Sequence, residues 1–155
     1  MRSRLVIAGL LGVIVTALIL TGLTYHRSLG SHEAVRRFEM HFTDLDRLDI
    51  HHFDVHLTLV NGGDVAVVVE SMVVMLRLEG RLLASRNLYP DDLVIGPGGE
   101  LGLNHELVSN LTGDQLPAPG AEIPRDDWSV RVYFRMTHPV REGEISLHRQ
   151  STLGP

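Results

Sequence analysis

The chain has 155 residues, no cysteine, 19 acids against 14 basic residues that are all Arg, and a formal net charge of -5. That length allows one domain of ordinary size, and the missing cysteine excludes a disulfide scaffold, a thiol nucleophile, an Fe–S cluster and a zinc-thiolate finger. The missing lysine excludes Schiff-base chemistry and a P-loop, and the acidic balance speaks against nucleic acid as a partner, because neutralising phosphates needs a basic face.

Residues 1–27 read as a membrane anchor, 28–35 as a linker and 36–155 as a separate β domain. Leu5 to Leu23 carries no charge. At ~1.5 Å per residue it approaches the ~30 Å hydrocarbon core of a bilayer, and Thr24 and Tyr25 extend it. The lipid bilayer is therefore the expected partner of residues 5–25. Arg2 and Arg4 precede the run, and Tyr25, His26 and Arg27 follow it, with an aromatic at the interfacial position. Thr16 and Thr21 can return their hydroxyls to the helix backbone. A cleaved signal peptide is the rival, with small residues at Ser28-Leu29-Gly30, but its apolar core is usually shorter, at ~7–15 residues. The arginines on both flanks leave orientation balanced, and the extracytoplasmic side is preferred for the bulk of the chain. Beyond residue 27 there are 11 Arg against all 19 acids, a charge of -8. Anionic headgroups would repel such a domain.

From residue 36 on, the chain predicts strands. Phe38, Met40 and Phe42 alternate with Arg37, Glu39 and His41. The acidic stretch Asp44–Asp49 reads as a connection. Phe53, Val55, Leu57 and Leu59 then point one way, and His52, Asp54, His56 and Thr58 the other. This strand ends at Asn61-Gly62-Gly63-Asp64, a turn signal because Asn and Gly tolerate positive φ. Val65–Val69 and Met72–Leu78 read as two further strands, and Glu79-Gly80-Arg81 as a hairpin turn into Leu82–Ser85. The apolar run Val65–Leu78 reads as a strand pair buried on both faces, or as an edge that pairs with another protein. Ile95-Gly-Pro-Gly-Gly-Glu100 is the next turn. Leu101, Leu103, His105 and Leu107 alternate after it. A loop with Pro117, Pro119, Gly120 and Pro124 leads to Trp128–Met136, where Val130, Val132, Phe134 and Met136 alternate with Arg131, Tyr133 and Arg135. Ile145 and Leu147 mark a last short strand. Seven or eight short strands separated by turns, over about 120 residues, predict an all-β antiparallel sandwich.

The order Phe53-Asp-Val-His-Leu-Thr-Leu-Val-Asn-Gly-Gly63, Met75-Leu-Arg-Leu-Glu-Gly80, Leu83-Ala84 and Ile95-Gly-Pro-Gly-Gly99 resembles the type 2 late-embryogenesis-abundant proteins, the water-stress and hypersensitive-response domain. The resemblance covers roughly residues 36–150 by element order. It departs at Asn61, which is followed by Gly62-Gly63 where the family has Pro-Asn. It implies an immunoglobulin- or fibronectin-like sandwich of about seven strands, often membrane-anchored. It carries over no catalytic residues and implies a stress-related binding or protective role.

No residue pattern demands an enzyme, a cofactor or a bound metal. His52, Asp54 and His56 line one strand face, and His41 lies on the preceding strand. Together they offer N and O ligands to Zn, Cu or Ni. A solvated outer face explains the same alternation, and no convergent third ligand is visible. Clustered His would repel one another when protonated, loosening that edge at low pH. Asp91-Asp92 and Asp126-Asp127 read as solvated turn residues. Asn110-Leu111-Thr112 is a glycosylation sequon that matters only in an exported domain. Arg131, Tyr133 and Arg135 form an outward stripe that suits an acidic or aromatic partner, although a solvated strand face is the commoner explanation of such a pattern; another envelope protein is a further expected partner of the chain. Trp128, heading an alternating strand, reads as core. The expected role is non-catalytic binding or stress protection from a membrane anchor. Alternatives are an assembly subunit of an envelope complex and a His-based metal-handling module.

Overall fold

A computed structural model describes residues 12–25, 33, 35–91, 93–116, 118, 123–138 and 141–153. Residues 12–25 are helical and exposed. Thr16 and Thr21 do turn back onto the helix, donating to the carbonyls of Gly12 (2.9 Å) and Ala17 (2.8 Å). Among the described residues no helix is long and apolar enough to cross a membrane. The expected span at 5–25 falls partly outside them, since residues 1–11 are not described.

Eight strands follow: β1 (Phe38–Arg47), β2 (His52–Asn61), β3 (Val67–Leu78), β4 (Arg81–Leu88), β5 (Leu93–Ile95), β6 (Glu100–Val108), β7 (Trp128–His138) and β8 (Arg141–Thr152). They form two antiparallel sheets. One has the order β1-β2-β6; the other runs β4-β3-β7-β8, with β5 also pairing to β3. β1 as far as Phe42 and β2 obey the alternation read from their residues. Phe38, Met40 and Phe42 of β1 and Phe53, Val55, Leu57 and Leu59 of β2 are buried, and the residues between them are not. Burying each large apolar side chain contributes about 1.5–3 kcal/mol, so this one face drives the packing of the sheet.

The inner faces meet through aromatic pairs. Phe38 packs edge-on against Phe134 at 5.3 Å between ring centroids, and Phe53 lies 6.1 Å from Trp128. Trp128 is core, as expected. On one side the sheets are stitched at β1 and β8: the N–H of Phe42 donates to Ser151 Oγ (3.1 Å), and Arg149 donates to the carbonyls of Phe38 and Val35. On the other side Ser109 Oγ donates to the Leu83 carbonyl at 2.6 Å, and Arg86 to that of Glu106.

Three elements differ from the sequence reading. Asp44–Arg47 is strand, not connection: a bulge between Phe42 and Asp44 lets β1 continue, placing Asp44 opposite His56 and Asp46 opposite Asp54. Val65–Val69 and Met72–Leu78 are not separate strands. β3 runs unbroken, because a register shift between Val69 and Ser71 absorbs Glu70 against β7. It is also not an edge, since β7 lies on one side and β4 and β5 on the other. The last strand, β8, reaches from Arg141 to Thr152 instead of being short.

Candidate functional site

The outer face of the β1-β2-β6 sheet is acidic. Register places Asp46 opposite Asp54, and Asp54 opposite Glu106, so three carboxylates stand in one row across the sheet. Asp44, His56 and Asn104 form the neighbouring row, and His41 faces Thr58 beyond it. His52, Asp54 and His56 therefore do share a face, and His41 joins it. The bulge after Phe42 puts Asp44, not His41, across from His56.

Each imidazole lies nearest a carboxylate. His56 Nε2 is 3.3 Å from Asp46 Oδ2 and 3.9 Å from Asp54 Oδ2. His52 Nδ1 is 2.6 Å from Asp49 Oδ2, with its Nε2 3.9 Å from Glu106. His41 Nε2 is 3.4 Å from Glu39. Each of these three rings thus has a carboxylate within 4 Å. Among the described residues no three His, Asp or Glu side chains are arranged to hold a metal ion.

Asp49 organises the β1–β2 connection. Its Oδ1 accepts the N–H groups of His51 (2.7 Å) and His52 (2.9 Å). Those backbone hydrogen bonds, His51 first, hold its carboxyl below the usual Asp range. His105, half-buried on β6, is shifted down. Burial is the main cause, followed by the Arg86 charge, with Asp54 opposing both.

The outer face of the other sheet is basic and partly apolar. Tyr133 stands between Val73 and His148, Arg131 between Met75 and Gln150, and Arg135 between Ser71 and Ser146. Tyr133 stacks on His148 at 5.0 Å and stays 43% exposed. Arg131 donates to Gln150 Oε1 at 2.9 and 3.2 Å, and Arg135 lies 3.4 Å from Glu70. A shallow depression of about 410 Å³ lies among Ser71, Val73, Tyr133, Arg135, Leu147 and His148. The stripe read from the sequence is thus a continuous surface, flanked by residues that only strand pairing reveals. Asn110 is exposed in the loop after β6.

Sequence reading missed Arg47, which it placed in the acidic connection. Its guanidinium donates to the carbonyls of Asp49, Ile50 and Ala118 and lies 5.7 Å from the centroid of the Phe53 ring, so it ties Ala118 to the β1–β2 connection. A lone Arg within an acidic run was the available signal.

No family model matches the chain, and no curated protein matches its sequence. The likeness lies in the solved structures. The chain matches the solution structure of a candidate late embryogenesis abundant (LEA) protein with a TM-score of 0.53 and 14% identity, over 88% of this chain and 82% of that one. The two share a fold. The LEA-like fold is what the order of turns and strands in the sequence implied. A protein from Archaeoglobus fulgidus (TM-score 0.41, 11% identity, 76% of this chain and 94% of that one) also matches, as does one from Arabidopsis thaliana (0.41, 11%, 74% and 76%). At that distance they add nothing to the LEA-like match.

Proposed function

We propose that this chain is a non-catalytic binding protein of the water-stress-protective kind: an immunoglobulin- or fibronectin-like sandwich held at a membrane by residues 5–25 and displayed on the extracytoplasmic side. The observation that carries it is the fold shared with the LEA protein over most of both chains. Fold alone does not fix function, so the site must contribute. The surfaces favour binding over chemistry, with broad charged faces and shallow depressions. The uncharged run from Leu5 to Leu23 supports the anchor. The basic, partly apolar face around Tyr133 supports a second reading, an assembly subunit that docks an acidic envelope protein.

The test combines topology with protection. Intact cells expressing the full chain with a C-terminal tag are shaved with protease, and their membranes washed at alkaline pH. Loss of the tag and retention of the protein in the washed pellet are expected. The purified full chain, added to a desiccation-sensitive enzyme before drying, is expected to raise the activity recovered. A protected tag overturns the extracytoplasmic placement, and unchanged recovery overturns the protective role. A stable partner co-purifying from native membranes while recovery stays unchanged selects the assembly reading.

A further inference from the structure

We propose that the outer face of the β4-β3-β7-β8 sheet docks on the outer face of the β1-β2-β6 sheet of a second copy of this chain. The two faces carry opposite charge. Arg131 and Arg135 frame Tyr133 on one, while Asp46, Asp54 and Glu106 cross the other in a single row. No Arg stands at an outward strand position of the acidic sheet. The basic face has features of an interface, with Tyr133 and the half-buried Val73 and Met75 flanked along β7 by Arg131 and by Arg135, the latter 3.4 Å from Glu70. The acidic face has a reason to accept it. Carboxylates directly opposite one another across strands repel, and guanidinium groups laid over the row would relieve that repulsion.

Charge also selects the mode of association. Basic face on basic face sets Arg against Arg, and acidic on acidic stacks carboxylates. Only the unlike faces attract, so the contact is heterologous. Such a contact leaves one free face of each sign on every pair and extends into rows instead of closing as a dimer. Long-range attraction between the faces speeds encounter and is screened by salt. This inference depends on neither the stress-protective reading nor the membrane side of the domain.

Energy transfer between donor-labelled and acceptor-labelled full chains in neutral detergent tests it. Transfer that rises with protein concentration at low salt, with an apparent Kd weakened at least about tenfold at 0.5 M salt, is expected. Association through the apolar segment would not weaken with salt. Arg131→Glu/Arg135→Glu and Asp46→Arg/Glu106→Arg are each expected to abolish self-transfer. Mixing the two variants is expected to restore it, because each then meets a face of opposite sign. Melting curves matching the parent show that the variants fold, and the salt titration of the unaltered chain stands without them. Absence of transfer at low salt overturns the proposal. So does transfer that survives high salt and both reversals.

Discussion

Asn61, at the end of β2, donates its side-chain amide to the carbonyl of Ile95, at the end of β5, across 3.0 Å. The same amide reaches the carbonyls of Val65 (2.8 Å) and Gly96 (3.0 Å), and its oxygen accepts the N–H of Gly63. Both segments leaving the end of the sandwich, β2 to β3 and β5 to β6, are therefore pinned by one fully buried side chain. Its own backbone N–H is bonded to Gly99.

Replacing Asn61 strands several backbone groups in a dry site, each at about 1–3 kcal/mol. Asn61→Ala is expected to destabilise by about 3 kcal/mol. Asn61→Asp is expected to be worse, because a carboxylate cannot donate and faces three carbonyls. Urea unfolding of the two variants beside the parent checks this. A loss under ~1 kcal/mol in both would mean that water replaces the amide.

The β3–β4 turn holds a residue that its backbone does not favour. Glu79 has φ 48° and Gly80 φ 78°, the pair of positive angles of a type I′ hairpin. Side chains other than those of Asn and Asp pay about 1–2 kcal/mol in that region. Glu79→Asn is expected to stabilise the fold by ~0.5–1 kcal/mol, read as a higher melting temperature. The N–H of residue 79, which bonds to Asp127, is untouched by the change.

The strands visible in the sequence are those with one wet face, because alternation records the difference between core and water. β2 and β7 are of this kind. What stayed hidden depends on partners distant in the chain. Asp44–Arg47 looked like a loop because a bulge breaks the period after Phe42. Glu70-Ser71 looked like a break because only pairing with β7 shows it to be a register shift. Asn61 was legible as a turn residue, but its partner Ile95 lies 34 residues away. The His comb and the Arg–Tyr–Arg stripe were each legible on one strand. Their opposition as an acidic and a basic face required knowing which strands share a sheet.

Asp49 ties acid stability to the β1–β2 connection. Its pKa is lowered from 3.8 in the folded chain. A carboxylate lowered on folding contributes stability above its unfolded value, and that contribution disappears as pH falls through the folded value. A carboxyl ¹³C titration by NMR is expected to place its midpoint below 3.8. Asp49→Asn is expected to flatten the acid limb of the stability curve below that pH. A midpoint at or above the ordinary value would show that the His51 and His52 N–H bonds do not persist in solution.

His105 acts in a higher pH window. Its folded pKa lies below 6.5, mainly from burial and next from Arg86, and its Nε2 is buried without a hydrogen-bond partner among the described residues. The unfolded chain therefore takes up this proton first. Stability is fully present above about pH 6.5 and falls as pH drops from there toward the folded pKa, below which the loss is complete. His105→Leu removes the titrating group and keeps an apolar side chain facing the core. Its stability is expected to change less between about pH 7.5 and 5 than that of the parent, measured by urea unfolding at several pH values. His105→Gln, polar but not titrating, is expected to share the flatter profile. Equal slopes in all three proteins would show that the ring reaches water and titrates alike in both states.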